Sequence, residues 1–390
     1  MRRPYLLFYA LVFLDEVALL ALVPLLPSYT HAYHLSSVQA GALLSAASLA
    51  IVVASVPAGR LSDRFGARRV TLAAGAIVGV SMAGVAAAPR YPALLAARAL
   101  FGVGSGTIWS AGLSWLGDSA APEARERALA AVITVAGIGS MVGPVFAGVL
   151  ADQVGRGAAF AVVAVLTAGV VVGLAAGHPG RRAVHSHQPL AEVAAGMRSE
   201  PLLAGALAIM LLGGVGDGVV SLVAPLQLGH SGLSSGTIGA WLSVSAAIFI
   251  VSSAVVARMG RRAVSLRFAG VMAAFQALAL APVLISGSAA PVVATVLARS
   301  AFVAAPYTMA FPLGALGATR LGFGTGTVNG LMGVVWGGAN FAGPLIAGAV
   351  IAGPGDRVAY ALLGAFSLVL GVTLVRAGRR ETTAQAAAAS

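Results

Sequence analysis

Apolar runs of about twenty residues follow one another along almost the whole chain, each long enough to cross a bilayer as a helix. Short arginine-bearing turns separate them. Only 9% of the 390 residues are charged, 59% are hydrophobic, and the mean hydropathy is +0.94. A soluble domain with so few charges cannot cover its surface. Twelve spans with short connections take up about 390 residues and leave no room for a soluble domain. The alternation of a membrane β-barrel is absent. The expected fold class is therefore all-α, integral to a membrane, with twelve transmembrane helices. The chain has no cysteine, which excludes disulfides, thiol catalysis and cysteine-ligated metals. No cofactor is implied.

The spans lie near 5–27, 39–59, 70–88, 92–116, 128–150, 157–177, 202–228, 236–257, 266–286, 290–314, 323–350 and 358–377, numbered helices 1 to 12. All 24 basic residues are arginine, and 19 fall on the side of the N-terminus against three opposite (Arg90, Arg156 and Arg357). That bias places both termini in the cytoplasm of an inner membrane. The high pI reflects this topology signal, so nucleic acid is not an expected partner. Arg2 and Arg3 before an apolar run mimic a signal peptide, but Asp15 and Glu16 interrupt it, and it reads as a retained first helix. The expected organisation is an N-terminal bundle (1–177), a cytoplasmic linker (178–201), a C-terminal bundle (202–380) and a disordered tail (381–390). His178, His185 and His187 in the linker read as solvated, not as a metal site. His31 and His34 at the outer end of helix 1 could in principle sense pH.

Helices 1–6 and 7–12 repeat one another. GRLSDRFGARRV (59–70) returns as SAVVARMGRRAV (253–264), with Arg64, Gly66, Arg68 and Val70 matching Arg258, Gly260, Arg262 and Val264 at a separation of 194. AARALF (96–101) returns as LARSAF (297–302), with Arg98 and Arg299 separated by 201. GPVFAG (143–148) returns as GPLIAG (343–348) at 200, and Asp15 and Asp217 stand 202 apart. Parallel six-helix repeats imply two pseudo-symmetric bundles with a substrate site between them.

On these motifs the chain resembles the major facilitator superfamily over essentially its whole length. GRLSDRFGARR is similar to that family's loop 2–3 signature, and ARALFGVGSG (97–106) to its helix 4 signature. GIGSMVGPVFAG (137–148) resembles the helix 5 signature of its antiporters. LDEVALLALVPLLP (14–27) resembles helix 1 of bacterial drug–proton antiporters and vesicular amine transporters. The resemblance implies a gating loop of Gly59, Asp63, Arg64, Gly66, Arg68 and Arg69. Asp63 there can cap a helix or pair with arginine as a charge lock. The second copy has Ala257 in place of the acid. The resemblance also implies a sealing antiporter seam at Gly139, Gly143, Pro144 and Gly148, with Ala147 where glycine is common.

Five acids and arginines lie within spans: Asp15, Glu16, Arg98, Asp217 and Arg299. Charges in hydrocarbon are expensive and mark pathways, although paired anchors that lock helices together would read the same way. Their helices (1, 4, 7 and 10) are those that the resemblance places around a central cavity. Asp15 sits about 15 Å along helix 1, near the midplane, where a poorly solvated carboxylate can exchange a proton. Glu16 points about 100° away, toward a neighbouring helix or Arg98. The pair would titrate together. Asp217 lies roughly 22 Å along helix 7 and reads as a second proton or cation site, or as the counter-ion of Arg299. Arg98 and Arg299 stay charged and cannot carry the proton. Trp109, Gln276, Tyr307, Asn329, Trp336 and Asn340 are candidate cavity walls, suited to amphipathic or cationic ligands.

The reading that follows is a proton-coupled exporter of small molecules, monomeric, with protons, substrate and the lipid bilayer as partners. An importer or uniporter of the same fold, and a non-transporting receptor or scaffold, are the alternatives. An enzyme is not expected, since no nucleophile–base pair is apparent.

Overall fold

A backbone in hydrocarbon has no water to bond to, so uninterrupted apolar segments satisfy their amides within helices. The computed structural model describes residues 3–120, 122–176, 200–260 and 264–389. In chain order the helices are α1 (Arg3–Tyr33), α2 (Ser37–Phe65), α3 (Ala67–Ala87) and α4 (Tyr91–Thr107). A π turn at Ile108–Gly112 and a short helix, Leu113–Ser119, carry α4 onward. Then come α5 (Pro122–Gln153), α6 (Ala158–Ala175), α7 (Pro201–His230), α8 (Ser235–Arg258) and α9 (Leu266–Leu278, followed by Ala281–Ile285). The last three are α10 (Ala289–Leu321), α11 (Thr325–Ala352) and α12 (Asp356–Ala389). Among the described residues, eleven helices are long and apolar enough to cross a membrane. The twelfth span is α4, which the π turn interrupts.

Several helices overrun the ends that hydropathy sets. α1 continues to Tyr33 through Pro24 and Pro27, where the Thr30 hydroxyl donates to the carbonyls of Leu26 (3.0 Å) and Pro27 (2.8 Å). Those bonds occupy acceptors in a stretch where proline removes backbone donors. His34 then breaks the helix at φ 50°, and the Ser36–Gln39 capping box starts α2. α12 runs on to Ala389, whereas a disordered tail is expected from residue 381. That segment is rich in alanine and has no glycine or proline to stop a helix. The linker's residues 178–199, with its three histidines, lie outside the described residues, as does Arg262 of the repeat.

The packing forms two compact units. One holds α1–α6 together with Leu228–Ala246, the turn between α7 and α8. The other holds the rest of α7 and α8 with α9–α12. The repeat boundary and the packing boundary thus differ, because the start of α8 lies on α5. Gly148 faces the Ser235 carbonyl and Gly239 the Pro144 carbonyl, with no room for a Cβ at either place. The Val145 amide donates to Ser243 Oγ at 3.2 Å, and the Gly236 amide to Asp152 Oδ2 at 2.8 Å.

Within the first unit, aromatic and basic side chains fix the helix ends. At one end the Tyr33 hydroxyl donates to the Ala88 carbonyl at 2.6 Å, and Arg156 lies over the rings of Tyr29 and Tyr33. At the other, Tyr5 donates to the Ser119 carbonyl and Tyr9 to that of Ala128. In the second unit Arg320 bridges Glu200 (3.2 Å) and Glu381 (2.9 Å), joining the start of α7 to the ends of α10 and α12.

Candidate functional site

The loop motif folds into a turn of a single residue. α2 ends at Phe65, Gly66 takes φ 89°, and α3 begins at Ala67. A positive φ is open to glycine at no steric cost, and Gly260, its partner in the repeat, also stands at positive φ. Arg68 reaches across to α6 and donates to the carbonyls of Leu174 and Ala175, satisfying acceptors that a helix end leaves bare. Arg64 lies over the Phe65 ring, and Arg69 is exposed. Asp63 is exposed and, among the described residues, bonds to no arginine. Arg68 thus serves a helix end. Gly59 sits half-buried one turn before Asp63.

The helix 5 motif is a seam of close approaches. Gly139 lies on the Phe13 carbonyl and the Glu16 Cβ, and Gly143 on the Val17 carbonyl, so α5 meets α1 backbone to backbone. The second unit repeats the contact, with Gly343 on the Val215 carbonyl and Pro344 against Gly218. This contact fixes the register between the halves. Val17 corresponds to Val215 at a separation of 198, whereas Asp15 and Asp217 are 202 apart. The two aspartates are therefore not equivalent: Asp217 stands one turn further along its helix. Matching by residue type alone misses the shift, because a helix repeats its face every four residues.

Asp15, midway along α1, is completely buried. Its Oδ2 accepts from Ser105 Oγ (2.8 Å) and from the Trp109 indole N–H (3.2 Å), while Oδ1 has no partner among the described residues. Trp109 belongs to the π turn of α4, a local widening that recurs at functional sites. The Ser105 and Trp109 side chains lie against the Asp15 carboxylate. Glu16, the more exposed of the two acids, turns to α5 and accepts from Ser140 Oγ at 3.1 Å, not from Arg98.

Arg98 is buried but bonds neither acid. Its guanidinium donates to the α1 carbonyls of Ala18 (3.2 Å) and Leu19 (3.3 Å) and stacks over Phe101. Arg299 is used differently: it pairs with Asp217 at 3.0 Å, and Tyr307 donates to the other carboxylate oxygen at 2.8 Å. Trp336 in turn donates its indole N–H to Tyr307 Oη. The Asp217 side chain remains 34% exposed, against 6% for Arg299. Gln276 is buried beside Gly216 and Arg299, its carboxamide without a partner among the described residues. Asn340 is half-buried on α11 and makes no side-chain hydrogen bond among the described residues; the Asn329 side chain lies outside them.

Each unit thus has one polar centre of its own. The first gathers Asp15, Ser105 and Trp109, flanked by Glu16 and Ser140. The second gathers Asp217, Arg299, Tyr307 and Trp336. Ser105 and Ser140 are absent from the sequence-based candidates. A signal existed for one of them, since Arg98, Ser105 and Trp109 are spaced by seven and four on one helix face. Among the described residues no group of three or more His, Asp or Glu could hold a metal.

The family model of the Major Facilitator Superfamily matches residues 6–333. The chain belongs to that superfamily. Relatives within it include the MFS-type transporter ppzB of Metarhizium rileyi, 32% identical over 33% of this chain and 26% of its own length. The multidrug transporter mfsC of Aspergillus fumigatus is 31% identical over 40% of this chain and 30% of its own. The probable vesicular acetylcholine transporter-B of Danio rerio is 29% identical over 39% and 32%. The chain thus spans no more than a third of the length of these relatives. A crystal structure of a POT family transporter in complex with 5-aminolevulinic acid shares the superfamily fold, with a TM-score of 0.78 over 97% of both chains at 12% identity.

Proposed function

We propose that the chain is a proton-coupled exporter of cationic or amphipathic small molecules, working by alternating access. The observation that carries this reading is the setting of Asp15. Among the described residues its carboxylate accepts hydrogen bonds only from neutral donors, Ser105 and Trp109, and forms no direct ion pair. Such a group can hold or release a proton while its neighbours stay in place. Asp217 is held differently, since Arg299 binds its negative charge. Proton coupling therefore belongs to Asp15, with Glu16, the next residue of α1, turned toward α5 beside it. The second polar centre, with its Tyr307 and Trp336 rings beside a partly exposed carboxylate, suits recognition of an amphipathic cation.

Three further observations support export. The α5 seam carries the antiporter-like motif, two relatives are named for multidrug and acetylcholine transport, and the helix 1 sequence resembles drug–proton antiporters. The arginine bias supports an inner membrane with both termini in the cytoplasm. The protein works as a monomer, without nucleic acid.

Reconstitution in liposomes loaded with a pH dye tests the proposal against a panel of cationic, neutral and anionic compounds. A cationic compound should drive proton movement in the opposite direction, and Asp15→Asn should abolish it while leaving the protein folded. Coupled transport that persists in Asp15→Asn removes Asp15 from the mechanism. Substrate and proton moving in the same direction would make the protein an importer.

A further inference from the structure

We propose that the seam between α9 and α12 binds one anionic phospholipid, its acyl chain in an apolar groove and its phosphate on a cluster of arginines. The two helices cross at Gly270 and Gly371, where a Cβ on Gly371 would come within 2.7 Å of the Gly270 carbonyl. Glycine and Ala274 bring the backbones together but leave no side chains to fill the wedge that opens beside the crossing. A groove of about 350 Å³ remains, walled by Val271, Phe275, Leu278, Val372 and Val375. That volume falls within the roughly 300–1,000 Å³ of sites that hold a small molecule. Val271, Phe275, Leu278 and Val372 are exposed, so the groove opens at the surface of this unit.

One end of the groove is basic. Arg376 and Arg379 line it, and Arg267 reaches the same level, its backbone packed against Gly378. All three arginines are exposed. From Arg267 to Leu278 α9 rises by about 16 Å, close to half the ~30 Å hydrocarbon core. The feature therefore has the length of one leaflet, apolar along its run and cationic where headgroups lie. Basic pockets between transmembrane helices hold anionic headgroups for this reason.

The matching seam of the first unit is built otherwise. There Val171 fills the space against Gly75, and Arg68 is bonded to the last carbonyls of α6. α6 ends at Ala175, whereas α12 continues and carries Arg376, Arg379 and Arg380 past that level.

Native mass spectrometry of the full chain in mild detergent tests the site, titrating phosphatidylglycerol and phosphatidylcholine of identical acyl chains. One phosphatidylglycerol should be retained in preference to phosphatidylcholine. A combined Arg267→Gln, Arg376→Gln, Arg379→Gln variant should weaken that preference by about fivefold for each arginine removed. Val271→Trp with Val372→Trp fills the groove from exposed positions and should displace the lipid although the arginines remain. Equal retention of the two lipids by the unaltered chain overturns the proposal without any variant. So does lipid retained after the groove is filled, which would mean headgroup attraction alone. Inorganic phosphate bound in place of lipid, or a mass of two chains with no lipid, would equally reject it.

Discussion

At the scale of single residues, the two arginines that match across the repeat do different work. Arg98 donates to main-chain carbonyls and leaves Asp15 to neutral partners; Arg299 neutralises Asp217. Removing each acid should therefore have opposite profiles. Asp217→Asn leaves Arg299 buried without its counter-ion, and losing one partner of a fully buried pair costs about 3–5 kcal/mol. Since Asp217 is partly exposed, we expect about 2 kcal/mol, read as a lowered melting temperature in detergent. Asp15→Asn removes no ion pair and should change the melting temperature little while abolishing coupled proton flux. Equal destabilisation by both variants would contradict this division of labour. The acids and arginines were legible in the sequence because charge is rare in hydrocarbon. Ser105 and Ser140 were not, since serine is cheap in a helix and marks no site by its presence alone.

At the scale of helices, glycine sets the spacing, but not every glycine does so. A Cβ at Gly143 would come within 2.9 Å of the Val17 carbonyl, and one at Gly343 within 2.8 Å of the Val215 carbonyl. Backbone cannot step aside as a flexible side chain can. Gly143→Ala and Gly343→Ala should each destabilise the protein by about 1–3 kcal/mol. Gly169 on α6 has no neighbour near its missing Cβ, so Gly169→Ala should leave the melting temperature unchanged or raise it slightly. A loss at Gly169 equal to that at Gly143 would show that helix packing is not the reason. Hydropathy located all twelve spans but not their ends, because the turns beyond the apolar core stay helical for local reasons. The capping of α2 by Ser36 and the glycine-free end of α12 are examples. The π turn of α4 left no mark, as nothing in its five residues differs in kind from an α-helical sequence.

At the scale of the molecule, the repeat was legible and its register was not. Loop glycines and the helix 5 motif aligned the halves correctly, while the aspartates suggested an equivalence that the α1–α5 and α7–α11 contacts refute. One end of the second unit is held by an ion-pair triad, where tyrosine, arginine and main chain hold the helix ends of the first. Arg320 is shared by Glu200 and Glu381, so Glu200→Gln and Glu381→Gln should be non-additive in a double-mutant cycle. Each single change should cost about 1 kcal/mol or less, because Arg320 is 43% exposed and salt screens it. Raising the salt concentration should shrink the coupling; a coupling indifferent to salt would rule out an electrostatic origin.

The displaced register also bears on design. The position matching Asp15 is Gly213, and the one matching Asp217 is Leu19. The acids thus occupy different positions of the repeat, so a designer seeking to make the two halves alike would have to place new carboxylates at 213 or 19.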